Sequence, residues 1–260
     1  MSKTSKAPPS ISLALFLDID GTIVYKGQGP FAEDIETIEL ARQQGHRVFL
    51  NTGRSIANIP PEMQNAPWVD GIIAGGGAQI VLGGKTIYHT WVPEDVLSAA
   101  CGLYLNNKKW IVFEGETDLY NIGLNREYAE MRIISSADDF RTKYTGAIIS
   151  KITMGGYVTA EEEAILGNAF DLFPQHGYSE GIIKGESKAK GMKLILEALG
   201  IKRENSIAVG DSANDTEMIR YAGLGIAMGN GTDELKKIAG AITGDVEHGG
   251  VAQAIRRWIL

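Results

Sequence analysis

Phe16-Leu17-Asp18-Ile19-Asp20-Gly21-Thr22 closes an apolar run that begins at Ile11 and is broken only by Ser12. A short continuous apolar run stopped by Gly reads as a strand buried on both faces, as in a parallel sheet. Side chains alternate along a strand, so the pleat would send Asp18 and Asp20 to the same side. Two carboxylates crowded at the carboxyl end of a buried strand repel unless a proton or a cation sits between them. That end is also where open α/β sheets bind ligands. From this stretch alone a plain turn, with Asp and Gly only punctuating the strand, is the alternative.

Arg47-Val48-Phe49-Leu50-Asn51-Thr52-Gly53-Arg54 is a second apolar strand, ending in a hydroxyl, a glycine and a guanidinium. Ser206-Ile207-Ala208-Val209-Gly210-Asp211-Ser212-Ala213-Asn214-Asp215 is a third. Before it, Gly185-Glu186-Ser187-Lys188 opens a helix whose apolar positions Met192, Leu194, Ile195 and Leu199 precede Gly200. DxDGT, a strand ending in TGR, a lysine at a helix start and GDSxND, in that order, resemble the haloacid dehalogenase superfamily. The pattern looks like its Cof-type (subfamily IIB) branch of magnesium-dependent phosphatases. Gly223-Leu-Gly-Ile-Ala-Met-Gly-Asn230 and Glu247-His-Gly-Gly-Val-Ala252 are similar to that branch as well. The resemblance covers both ends of the chain and hardly touches the middle.

Helices alternating with apolar strands over 11–78 and again over 183–260 predict an α/β core, a doubly wound parallel (Rossmann-like) sheet with right-handed crossovers. Residues 79–182 read differently. Amphipathic alternation runs through 85–91, 110–114 and on from Lys151, with helical patterns near 93–106, 125–131 and 160–172, which predicts an α+β insert. In the resembled branch an insert of this size is a type-C2 cap that closes over the active site. Gly75-Gly76-Gly77 reads as a hinge into it; no GK[ST] follows to make a phosphate cradle. Residues 1–10 read as a flexible tail.

The 260 residues, 44% apolar and 22% charged, suit a globular chain with a real core. A net charge of −7 argues against a nucleic-acid or anionic-membrane partner. No stretch reaches the roughly 18 apolar residues of a membrane span. The single cysteine, Cys101, cannot form an internal disulfide, which suits a reducing cytoplasm. Four scattered histidines and one cysteine offer no zinc site.

The resemblance implies roles for individual residues. Asp18 would be the nucleophile and Asp20 the acid and base that serves the leaving oxygen and then water. Mg²⁺ would be held by the Asp18 carboxylate, the Asp20 carbonyl and the Asp211 carboxylate, with Asp215 beside them. Gly21, Thr52 and the Gly53 amide would hold phosphoryl oxygens and Lys188 would neutralise them. Asn214 and Asp215 would orient metal-bound water and Lys188, or simply cap a helix. Lys190 rivals Lys188, but only Lys188 is spaced four and seven residues before apolar Met192 and Ile195. Arg54 would clamp substrate or pair with a surface carboxylate. The expected activity is Mg²⁺-dependent hydrolysis of a small phosphorylated metabolite, a sugar phosphate or similar polar ester. A sugar phosphomutase and a non-catalytic phosphometabolite-binding protein are the alternatives. No motif names the substrate or a self-association surface.

Overall fold

A computed structural model describes residues 12–124 and 131–260. The tail expected at 1–10, and nearly all of the helical pattern expected at 125–131, lie outside the described residues. The first part of the chain supplies β1 (Ala14–Leu17), β2 (Arg47–Asn51), β3 (Gly71–Ala74), β4 (Gln79–Leu82) and β5 (Lys85–His89). The middle supplies β6 (Ile111–Gly115), β7 (Leu119–Ile122), β8 (Arg132–Ile133), β9 (Ile149–Gly155), β10 (Phe170–Pro174) and β11 (Tyr178–Ile183). The last part supplies β12 (Ser206–Gly210), β13 (Leu224–Ala227) and β14 (Ala241–Ile242). The helices are α1 (Ala32–Gln43), α2 (Pro61–Gln64), α3 (Glu94–Asn107), α4 (Asp139–Thr142), α5 (Ala160–Leu166), α6 (Lys188–Leu199), α7 (Thr216–Tyr221), α8 (Asp233–Ile238) and α9 (Gly250–Trp258).

β1 is fully buried because it is apolar on both faces. Leu15 and Leu17 join a cluster with Ile38 of α1 and Ile255 of α9; Ala14 and Phe16 join another with Met192 of α6 and Met218 of α7. Phe16 stacks on Phe49 of β2, their ring centroids 5.0 Å apart. The sheet order is β14-β13-β12-β1-β2-β3-β4-β5, parallel from β14 to β3 with helices on both faces. This is the doubly wound core that the apolar runs predict.

Two boundaries differ from the sequence reading. The hairpin β4–β5, assigned to the insert, pairs antiparallel onto β3 and extends the core sheet to its edge. Its alternation marks a strand but does not say which sheet the strand joins. The chain therefore leaves the core at 90–93, after the hairpin, and not at Gly75–Gly77. The helix expected over 160–172 stops at Leu166, and Phe170–Pro174 is an edge strand, where a proline is tolerated.

The second sheet runs β10-β11-β9-β6-β7-β8, antiparallel except for β7–β8. Ile111, Phe113, Ile152 and Met154 point to one face and pack under Leu97, Cys101 and Tyr104 of α3. The intervening residues Glu114, Lys151 and Thr153 occupy the opposite face, towards the carboxyl ends of the core strands. Among the described residues no helix is long and apolar enough to cross a membrane.

Candidate active site

β1 ends at Leu17, so Asp18 is the first residue beyond the strand; its amide donates to the Val209 carbonyl (3.0 Å) and ties it to β12. A tight turn follows, in which the Ile23 and Val24 amides both donate to the Ile19 carbonyl (3.0 and 2.8 Å). This turn, rather than the pleat of the strand, returns Asp20 to the cavity that Asp18 lines. Gly21 adopts φ +79°, and a Cβ there would overlap the Asp211 carboxylate, so the turn and its neighbour both require glycine. Asn230 donates to the Gly21 carbonyl (2.8 Å) and braces the turn from the far end of the chain.

Asp211 and Asp215 follow β12. Asp215 accepts the Asp211 and Ser212 amides at one carboxylate oxygen (2.9 and 3.0 Å) and the Lys188 ammonium at the other (2.6 Å). It therefore caps its turn and holds the lysine, combining the two readings its position allowed. Lys188 is the first residue of α6, behind the N-cap Ser187, and Asn51 at the end of β2 donates to its carbonyl (3.2 Å). Its Nζ also donates to Asp18 Oδ1 (2.6 Å) and Asn214 Oδ1 (3.2 Å). Lys190 turns away, to Glu186 (2.8 Å) and the Tyr88 hydroxyl (3.0 Å).

Thr52 is buried at the end of β2, its hydroxyl accepting from the Arg54 amide (3.1 Å), and Gly53 lines the cavity beside it. Arg54 grips both Asp20 carboxylate oxygens, donating from Nη2 (2.6 Å) and Nε (2.7 Å), while Nη1 donates to the Asn58 carbonyl (3.2 Å). Its carboxylate partner is thus the proposed acid and base itself. The Gly75 and Gly76 amides donate to the Arg54 and Thr52 carbonyls (2.7 and 3.0 Å). A Cβ on Gly77 would overlap the Ser187 backbone. The triglycine buttresses the phosphate-loop candidates from behind.

Asp18, Asp211 and Asp215 each offer an oxygen within 4.8 Å of the others, and one ammonium, Lys188, serves the group. Burial pushes the Asp18 carboxyl well up, with Lys188 pulling against it. Burial and then Asp215 push Asp211 up to about 7. Burial alone would lower Lys188, but Asp18 and Asp215 outweigh it and hold the ammonium above its ordinary range. Asp211 Oδ1 is buried and has no hydrogen-bond partner among the described residues. Three crowded carboxylates, one cation and an orphaned oxygen fit a site for a hard, oxygen-seeking divalent ion.

The cavity has a volume of about 600 Å³ and is roofed by the second sheet. Motif reading does not find the roof residues Glu114, Lys151, Thr153, Tyr178 and Glu180, or Asn58 on the core side. Lys151 lies 2.7 Å from Glu180 and 3.4 Å from Glu114. Glu114 also accepts from the Thr153 hydroxyl (2.6 Å) and the Asn58 amide (3.2 Å). The signal for them was polar residues at every second position of an apolar strand, which a solvent-facing strand displays equally.

A family model described as haloacid dehalogenase-like hydrolase matches residues 15–255. The chain is 30% identical over 269 residues to the 5-amino-6-(5-phospho-D-ribitylamino)uracil phosphatase YitU of Bacillus subtilis, covering 93% of this chain and 96% of that one. It is 28% identical over 259 residues to the B. subtilis phosphatase YcsE, named for the same ester, covering 94% of each. The solved structure of the HAD subclass IIB sugar phosphatase BT4131 superposes with a TM-score of 0.79 at 26% identity, over 95% of this chain and 99% of that one. With a match that runs through both ends of the core sheet and the sheet between them, the chain belongs to the haloacid dehalogenase-like hydrolases, as a subclass IIB phosphatase.

Proposed function

We propose that the protein hydrolyses monophosphate esters of small, hydroxyl-rich metabolites in the cytoplasm, with Mg²⁺ bound and through an aspartyl phosphate on Asp18. The observation that carries this reading is the buried Lys188 ammonium shared by Asp18 and Asp215 beside the orphaned Asp211 oxygen. An Asp18 carboxylate oxygen attacks phosphorus and the ester P–O bond breaks, leaving the phosphoryl group on Asp18. Asp20 delivers a proton to the departing oxygen and then takes one from the water that hydrolyses the intermediate. For that it exchanges its Arg54 contact for the leaving group, and Arg54 turns to the phosphoryl group that is being transferred. The Thr52 hydroxyl and Gly53 amide hold phosphoryl oxygens while Lys188, steadied by Asn214, offsets their charge. Asp18, the Asp20 carbonyl and Asp211, with Asp215 adjoining, would hold Mg²⁺, which when bound neutralises part of the charge that the carboxylate and phosphate share.

The relatives named for 5-amino-6-(5-phospho-D-ribitylamino)uracil support a polyol-bearing ester as substrate. The test is phosphate release from p-nitrophenyl phosphate. Activity is expected to vanish in EDTA and return with Mg²⁺, and Asp18→Asn to lose at least about 10⁴-fold in kcat. Undiminished turnover by Asp18→Asn, or in EDTA, overturns the reading.

A further inference from the structure

The roof of the cavity bears on the other half of the ester. Both cations that line it are committed. Arg54 forks onto Asp20 and on release serves the reacting phosphoryl group, and Lys151 lies between Glu180 (2.7 Å) and Glu114 (3.4 Å). Burial would raise Glu114, but Lys151, Thr153, Asn58 and the Ser55 amide bring it below the usual carboxylate range. The Glu114–Lys151–Glu180 group thus carries one more negative than positive charge. Among the described residues lining the cavity no uncommitted cation remains to receive a second anion. The roof offers instead the Tyr178 hydroxyl, the Gln175 amide and the partly exposed Glu180 carboxylate, groups that bind hydroxyls and ammonium ions.

We infer that Glu180, with Lys151 neutralised beside it, is a specificity-determining residue that admits leaving groups bearing hydroxyls or an ammonium and rejects those bearing a second phosphate or a carboxylate. This rests on the phosphatase reading above. It adds that bisphosphates, the currency of a phosphomutase, are turned away by charge. Repulsion against a competitor is as effective a selector as attraction for the substrate.

The test uses two open-chain six-carbon phosphates that differ only at the end remote from phosphorus: glucitol 6-phosphate (a hydroxymethyl) and 6-phosphogluconate (a carboxylate). The wild-type enzyme with Mg²⁺ is expected to prefer glucitol 6-phosphate in kcat/KM by at least about tenfold, since like charges brought together cost heavily. Glu180→Gln, nearly isosteric at a partly exposed strand position, is expected to shrink that ratio at least about threefold. Glu180→Ala is the second variant, judged by the same ratio if the first misfolds. Binding of the two esters to Asp18→Asn by calorimetry reads the same preference without turnover. Absence of any phosphatase activity would therefore strike the proposed function and leave the charge preference to be decided by binding. Equal handling of the pair, a preference for 6-phosphogluconate, or an unchanged ratio in both folded Glu180 variants overturns the inference.

Discussion

The two sheets meet at one cavity but contribute to it in opposite ways. The core presents loop residues that lie just past strand ends, each fixed by backbone: Asp18 by β12, Thr52 by β3, and Lys188 by the start of α6. The second sheet presents the flat face of β6, β9 and β11, with the residues between them packed on α3. Loop-end residues are interlocked by hydrogen bonds and tolerate little, whereas partly exposed face residues such as Glu180 can change while the other face keeps the fold. The chemistry is therefore expected to be rigid and the selection adjustable.

The largest effect that would break this contrast is at Lys188. Lys188→Met leaves Asp18 and Asp215 buried without their cation. Turnover of p-nitrophenyl phosphate should fall at least about 10²-fold, and stability by about 3–5 kcal/mol in chemical denaturation. Lys190→Met, two residues on and bonded to Glu186 and Tyr88 away from the carboxylates, should stay within a few-fold of wild type. If the two variants behave alike, the core loops are not the rigid partner.

Next comes Gly21→Ala. The positive φ and the overlap with Asp211 together should cost about 1–3 kcal/mol and weaken the response of the melting temperature to Mg²⁺. A wild-type Mg²⁺ response in this variant would separate the turn from the metal site.

Metal and pH should be linked in the intact protein. Burial and then Asp215 push the folded Asp211 carboxyl up to about 7, far above an ordinary carboxyl. Its contribution to stability is thus full below about pH 4 and lost as pH rises through about 7. Mg²⁺ binds the deprotonated form and restores what is lost, so the rise in melting temperature with Mg²⁺ should be larger at pH 8 than at pH 5.5. Equal shifts at both values would detach Asp211 from the metal.

The smallest effect sharpens the comparison within the core. Asp34 is buried, accepts the Ala252 amide at Oδ1 (2.7 Å) and has no partner at Oδ2 among the described residues. Burial raises its carboxyl to about 6. The sign matches that of Asp211: stability present below about pH 4 is lost through about pH 6. Asp34→Asn should therefore stabilise the protein by about 1 kcal/mol at pH 8 and hardly at pH 4.5, with or without Mg²⁺. A Mg²⁺-dependent effect there would deny that the metal acts locally.

What the sequence conveys follows the same division. Asp18, Asp211 and Lys188 are legible because a loop at a strand end gathers its chemistry within a few consecutive residues. Glu114, Lys151 and Glu180 lie on three strands far apart in the chain, and each looks locally like a solvent-facing residue. Only the pairings Glu114↔Lys151 and Thr153↔Glu180 bring them into one patch. The hairpin at 79–89 joins the core sheet, which its sequence does not reveal, since period-two alternation specifies a strand and leaves its partner open. The end of α5 is hidden in the sequence because Phe170 and Leu172, apolar residues that extend its helical pattern, belong instead to β10.

The central pairing of the core, Ala14 with Ser206, has a consequence for how the molecule is made. During synthesis from the amino end, β1 emerges early and stays an unfinished edge until β12 leaves the ribosome. The second sheet, whose strands and apolar cluster all lie between those two segments, has its last strand translated before β12 begins. The order of manufacture is thus roof first and catalytic floor last. A nascent chain cannot assemble the three site carboxylates until Asp215 has been translated.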